Sequence, residues 1–222
     1  ILSFSNQIEG AQGLSITNCK RIILENFTIQ NTIGDGIKVQ YTDGIVFRNV
    51  KAEWTGGPKE TNGAYGLYPV QCSNVLIEYS MSIGASDAGL YVGQSKNIIV
   101  RNSEVYHNVA GIEIENSINA DVYNNYAHDN TGGILIFDLP DLIQKSGKNV
   151  RIFNNLIENN NLDNFLSVNL SLIGKKKKLS TKDINRAIVT TIGIHFMNCP
   201  IIPFVTSIGK KAAIVVKAVE VI

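Results

Sequence analysis

The chain of 222 residues is short of cysteine, with three, has one tryptophan, and carries a formal net charge of only +1. Each shortage closes off a class. No run of eighteen apolar residues occurs, so no membrane-spanning helix is expected. The basic residues are scattered along the repeat region rather than gathered into a stripe, which argues against a nucleic-acid partner. No helical stripe with caps is visible through residue 160, and no regular two-residue turn links the apolar segments. Neither a helical bundle nor a hairpin sandwich is therefore expected. One domain of this length can still bury a long core.

What is present is a repeat. Gly13, Gly36, Gly66, Gly89, Gly111 and Gly133 each open a short apolar strand, at spacings of 23, 30, 23, 22 and 22 residues. Thirteen residues after the first five stand Asn26, Asn49, Tyr79, Asn102 and Asn124, and Asn154 fills the same slot after an eight-residue insertion. A unit of about 22 residues buries its apolar face only against its neighbours, which predicts a solenoid. Within a unit the pieces are short, alternate in polarity and favour branched and aromatic side chains, the period-two signal of strands. Three short strands per turn, stacked on their equivalents, predict an all-β, right-handed parallel β-helix.

The columns support this. Leu14, Ile37, Leu67, Leu90, Ile112 and Ile134 follow the glycines. The inward slots of the second strand read Ile22, Ile45, Val75, Ile98, Ala120, Val150 and Leu24, Phe47, Ile77, Val100, Val122, Ile152. All are apolar, and strands about 4.8 Å apart make them continuous ladders. The outward slots Glu25, Arg48, Glu78 and Arg101 alternate in sign, which predicts a solvated ion-pair ladder rather than a catalytic cluster. Asn74, Asn97, Asn119 and Asn149 form a second asparagine run. Asparagine tolerates left-handed backbone and bonds nearby main chain, so both runs read as corner residues.

Cys19 and Cys72 share a column two rungs apart, about 9.6 Å at the strand spacing and beyond the reach of a disulfide. The sequon Asn26-Phe27-Thr28 lies inside the ladder and is a poor glycan acceptor. The chain starts at Ile1, so a fragment or processed form is expected. After Asn161 the phasing ends, which divides the chain into a repeat domain, 1–164, and an unphased segment, 165–222. That segment, with its Lys175 to Lys178 run, reads either as a terminal cap or as the product of a frameshift near the lysines.

Asp-Ala-Gly-Leu-Tyr-Val-Gly-Gln-Ser-Lys-Asn-Ile, Ala-Gly-Ile-Glu-Ile-Glu-Asn-Ser and the Phe-Asp-Leu-Pro at 137–140 carry a resemblance. On these residues, positions 3–161 resemble bacterial right-handed parallel β-helix repeat proteins of the pectate-lyase-like superfamily. The resemblance implies the fold, with carbohydrate as a tendency and a secreted, periplasmic or cell-surface location as an expectation. It also implies a groove along the glycine strand. The outward slots there read Ser15, Lys38, Tyr68, Tyr91, Glu113, Leu135 and Thr17, Gln40, Val70, Gly93, Glu115, Phe137. Insertions at 54–62 and 138–145 flank that strand.

The candidate substrate contacts are Tyr68, Tyr91, Gln40 and Glu115, since aromatic faces pack on sugar C–H surfaces and polar groups bond hydroxyls. Lys38, Asp87 and Glu113 are candidate catalytic groups, with Asp35 at the groove's edge. His107 and Asp129 share a column on adjacent rungs, where a carboxylate would orient an imidazole for proton transfer; a turn-stabilising pair is the plainer reading. His128 lies one column away, and His195 falls in the unphased segment. The Asp-Pro-His-Asp motif of alginate epimerases is absent, and no family active site transfers residue by residue. No motif indicates a metal; calcium enters only by analogy with lyases. Three functions stay open: a lyase, epimerase or glycoside hydrolase acting on an acidic polysaccharide, a non-catalytic glycan-binding module, and a structural or adhesive spacer.

Overall fold

The computed structural model describes residues 1–10 and 12–165. The basic run at 175–178, His195, Cys199 and the cap-or-frameshift segment lie outside them. The chain winds through β1 (Leu2–Ser3), β2 (Gln12–Thr17), β3 (Lys20–Gln30), β4 (Asp35–Gln40), β5 (Asp43–Glu53), β6 (Leu67–Val70), β7 (Ser73–Glu78), β8 (Met81–Ile83) and β9 (Ala88–Gly93). It continues through β10 (Lys96–Arg101), β11 (Glu104–Tyr106), β12 (Ala110–Glu115), β13 (Ile118–Tyr123), β14 (Tyr126–His128), β15 (Gly132–Phe137), β16 (Lys148–Phe153) and β17 (Leu156–Glu158). Among the described residues there is no helix, and the strand pairs are parallel. The described residues form a parallel β-helix.

The glycine strands form one sheet in the order β15-β12-β9-β6-β4-β2. Leu14 pairs with Ile37, Ile37 with Leu67, Leu67 with Leu90, Leu90 with Ile112 and Ile112 with Ile134. The second-strand columns also hold: Phe47, Ile77, Val100 and Val122 stack in register and are fully buried. Fully burying each such side chain contributes about 1.5–3 kcal/mol. In the outermost described rungs the ladder opens, and Ile152 is exposed.

One expectation is refined. Separate second and third strands occur only from β7 onward; in β3 and β5 they run together as eleven-residue elements. Asn26 (φ 61°) and Asn49 (φ 50°) turn the chain through left-handed corners inside these strands, leaving the ladder unbroken. The same corner is left-handed at Tyr79, Asn102, Asn124 and Asn154. The other run bonds rung to rung: Asn97 Nδ2 donates to Asn74 Oδ1 (3.2 Å), Asn119 to Asn97 (3.2 Å) and Asn149 to Asn119 (3.0 Å). Each amide there satisfies its neighbour.

A further asparagine ladder, inside the coil, has no counterpart in the sequence reading. Asn108 is fully buried and donates to the Ser82 and Tyr106 carbonyls, while Asn130 repeats the arrangement one rung on with Val105 and His128. These amides close the corners that feed β12 and β15. Buried main-chain groups that the tight turn would otherwise orphan find partners there. Cys19 and Cys72 are free thiols two rungs apart, with Thr42 between them.

Candidate functional site on the glycine sheet

The outward column of the glycine sheet begins with Ser15 opposite Lys38 and Lys38 opposite Tyr68, and ends with Tyr91 opposite Glu113 and Glu113 opposite Leu135. Lys38, Tyr68, Tyr91 and Glu113 therefore stand on four successive rungs, as the phasing places them. The Lys38 ammonium lies 5.0 Å from the centre of the Tyr68 ring, a cation–π distance. Tyr68 and Tyr91 meet edge to face at 4.9 Å.

A third tyrosine completes the platform. Tyr65 packs 4.5 Å from Tyr68 and 4.6 Å from Tyr91, centre to centre. It arrives on the insertion after β5, which is pinned at both ends. Trp54 Nε1 donates to the Thr32 carbonyl (2.7 Å), and Asn62 Nδ2 donates to the Gly84 carbonyl (2.6 Å). Tyr65 lies just past the 54–62 insertion and is not among the contacts the sequence predicts. The available signal was its position, one residue before Gly66, in the outward slot that Asp35 occupies before Gly36.

The carboxylates lie around these rings. Asp35 Oδ1 accepts from the Tyr65 amide (3.3 Å), and Asp87 faces the Tyr65 hydroxyl. Tyr91 donates its hydroxyl to Glu115 Oε2 (2.7 Å). That bond needs Gly93: any Cβ there would overlap the Tyr91 hydroxyl, which leans across the position to reach the next rung. Tyr91, Glu113 and Glu115 are only 5%, 8% and 6% exposed, whereas Lys38, Tyr65, Tyr68, Asp35 and Asp87 are half-buried. The expected open, mixed face is thus deeper than its outward slots implied, because aromatic rings fill the space between rungs.

Burial raises the Asp35 and Asp87 pKa values above the usual carboxylate range. Glu113 is pushed up to about 7, first by burial and then by the charges of Asp87 and Glu115. Among the described residues Glu113 has no hydrogen-bond or ion-pair partner; most of the residue is buried, and its carboxylate oxygens are left to solvent. The Tyr65 and Tyr91 hydroxyls are held firmly protonated, by burial and then by the neighbouring carboxylates. No group of three carboxylate, imidazole or thiol ligands converges closely enough to hold a metal ion among the described residues, so calcium has no ready-made cage.

Three expected members fall elsewhere. Gln40 shares the Glu115 column but is three rungs away, and its amide donates to Gln71 Oε1 (2.8 Å). His107 and Asp129 do share a column, the His107 amide donating to the Asp129 carbonyl (3.0 Å), yet their side chains do not pair. Asp129 Oδ2 instead meets Nδ1 of His128 at 2.8 Å, and Glu104 Oε1 meets its Nε2 at 3.1 Å. The reason is backbone: His107 (φ 59°) and Asp129 (φ 50°) occupy left-handed corners, while His128 faces outward from β14 between the rings of Tyr106 and Tyr126. The dyad proposed from the sequence is corrected to His128–Asp129, and it lies on the third strand rather than with the tyrosines.

A broad concavity of about 770 Å³ lies on the second-strand face, lined by the Asn74–Asn97–Asn119–Asn149 run and by Asp121 and Arg151. Its amides bond one another, and Arg151 pairs with Asp121 at 2.6 Å. Its polar side chains are already engaged, which leaves the glycine sheet as the candidate site.

A family model described as "Right handed beta helix region" matches residues 12–180. No curated protein and no solved structure matches the chain.

Proposed function

The chain belongs to the right-handed β-helix family, and from that premise we propose that its glycine sheet binds a polysaccharide. The observation that carries the reading is the platform of Tyr65, Tyr68 and Tyr91, three rings within 4.5–4.9 Å of one another with carboxylates on their borders. Flat rings cover the C–H face of a pyranose, and bordering carboxylates and a lysine bond its hydroxyls. Successive rungs about 4.8 Å apart offer a strip that an extended chain follows rather than a closed pocket for a small molecule. Secretion or display at the cell surface belongs to the same proposal, since that is where such polymers are met.

The acidic polysaccharide expected from the sequence fits this face less well than a neutral or cationic one. Asp35, Asp87, Glu113 and Glu115 surround the rings against one cation among the described residues, Lys38, which is itself engaged with Tyr68. A second reading, turnover by proton transfer, has one observation in its favour: Glu113 titrates near 7, where a carboxyl can both donate and accept a proton at neutral pH.

Affinity electrophoresis against a panel of soluble polysaccharides, with product analysis on every member bound, tests both readings. Tyr68→Ala is expected to weaken binding about tenfold, the loss of roughly 1–2 kcal/mol of ring contact. Unchanged mobility of Tyr68→Ala and of Tyr68→Ala/Tyr91→Ala would reject the platform. Product that disappears in Glu113→Gln while binding persists would establish turnover.

A further inference from the structure

Glu113 poses a problem that the coil itself does not resolve. The residue is more than nine-tenths buried, its carboxylate reaches solvent but accepts no hydrogen bond among the described residues, and it stands near two other carboxylates, Asp87 and Glu115. On the other outward faces, Glu78 and Asp121 meet arginine and Asp129 meets His128. An isolated buried carboxylate is costly, and removing the cost requires a proton or an external partner bearing charge and N–H donors.

Three kinds of partner answer that description. A divalent cation is disfavoured by geometry, since no set of three ligands converges among the described residues. A guanidinium or simple alkylamine would satisfy the charge but leave the tyrosine platform unused. A sugar ring carrying a free ammonium uses both, its C–H face on the rings and its charge toward the carboxylates. The face already holds one ammonium: Lys38 Nζ lies 5.0 Å above Tyr68, showing that the ring accepts a cation from solvent's side.

We propose that the glycan recognised by this face is a cationic amino-sugar polymer, with its ring on the Tyr65–Tyr68–Tyr91 platform and its ammonium directed to Asp87 and Glu113. The inference rests on the polysaccharide-binding reading above and names its substrate class. Lys38 is then a competitor for the same electrostatic field, lowering affinity for amino sugars and screening out neutral chains less strongly.

Calorimetric titration of the full chain near pH 6.5, in two buffers of different ionisation enthalpy so that the proton Glu113 gives up to a bound ammonium is counted, tests this with three hexamers. They are β-linked glucosamine, its fully N-acetylated counterpart, and galacturonic acid. The glucosamine hexamer is expected to bind at least about tenfold more tightly than the other two. Lys38→Met should raise that affinity several-fold by removing the competing charge, and Glu113→Gln should reduce the preference over the acetylated chain to about threefold or less. Both variants must retain cooperative unfolding; Lys38 is half-exposed and Glu113→Gln removes a buried charge, so neither threatens the fold. Equal or tighter binding of the acetylated or galacturonate hexamer would overturn the amino-sugar inference while leaving polysaccharide binding standing. Failure of all three to bind would overturn both.

Discussion

Two outward columns of the same coil rise at the same spacing and end in opposite conditions. On the second-strand face, Glu25, Arg48, Glu78 and Arg101 alternate in sign, and the contacts follow at 3.5, 2.7 and 2.6 Å. Arg101 then reaches on to the Tyr123 hydroxyl at 3.1 Å. On the glycine sheet, Lys38, Tyr68, Tyr91 and Glu113 place one cation at one end and a partnerless carboxylate at the other. A column in which every charge is answered by its neighbour needs nothing from outside. A column that buries an unanswered carboxylate holds it at a cost to the fold, and such costs are retained where a site binds or reacts.

The sharpest way to break the comparison is to neutralise one carboxylate in each column. Glu113→Gln is expected to stabilise the protein at pH 8 by about 1–3 kcal/mol, read from urea midpoints, because it removes a charge the fold disfavours. The sign follows from a folded pKa near 7 against an ordinary 4.5. Ionisation penalises the native state progressively between those values, so the gain should vanish below about pH 4.5. Equal stability of variant and parent at pH 8 would show that Glu113 is compensated after all.

Glu78→Ala should act in the opposite direction, costing about 1–2 kcal/mol at pH 7. Hydrogen bonds from Arg48 and then Arg101 outweigh burial and hold the Glu78 carboxyl below the usual range. Its contribution is therefore present above the unfolded pKa and is lost as pH falls through the lower folded value. A pH scan of the unfolding midpoint should show the Glu78 and Glu113 variants diverging at neutral pH and approaching the parent under acid.

The asparagine corner supplies a smaller test with a gain. Tyr79 is the one non-asparagine in its left-handed column, at φ 50° and 60% exposed, between Asn49 and Asn102. Tyr79→Asn is expected to stabilise by about 0.5–1 kcal/mol by relieving the corner. A loss in thermal midpoint would mean that the tyrosine ring contributes more than its backbone costs.

The smallest effect concerns His128. Burial lowers its pKa, but the bonds to Asp129 and Glu104 outweigh burial and leave it raised. Both ring nitrogens face carboxylates, so the doubly protonated form fits best. Its stabilisation, about 0.5 kcal/mol for a partly exposed pair, is fully present below the unfolded value of about 6.5 and lost as pH rises through the folded one. An NMR titration of the imidazole should give a pKa above that of a free histidine; a value at or below it would remove the ion pair from the account.

Much of this architecture was legible because a coil of stacked rungs is nearly one-dimensional. The glycine phase assigns each residue a rung and a slot, and alternation then says inward or outward. That is why the apolar columns, the alternating Glu25–Arg101 ladder and the shared column of Lys38, Tyr68, Tyr91 and Glu113 all hold in the pairing register. The site's third ring was not legible, since Tyr65 sits at the end of an insertion with no phase of its own. Nor was the histidine pairing: His107 and Asp129 share a slot, but a left-handed corner aims their side chains apart, and one-residue offsets decide which imidazole a carboxylate meets.

Sequence alone determined the coil, its register and the addresses of the outward residues, because period-two alternation and the recurring glycine–asparagine phase are local properties repeated at a fixed interval. Only the tertiary structure decided which of those residues meet and how deeply they lie. Burial and pairing are set by side chains from rungs 22 to 30 positions apart and by the conformation of the insertions between them. That is how a slot that reads as outward, Glu113, becomes the buried and unanswered charge on which the proposed chemistry depends.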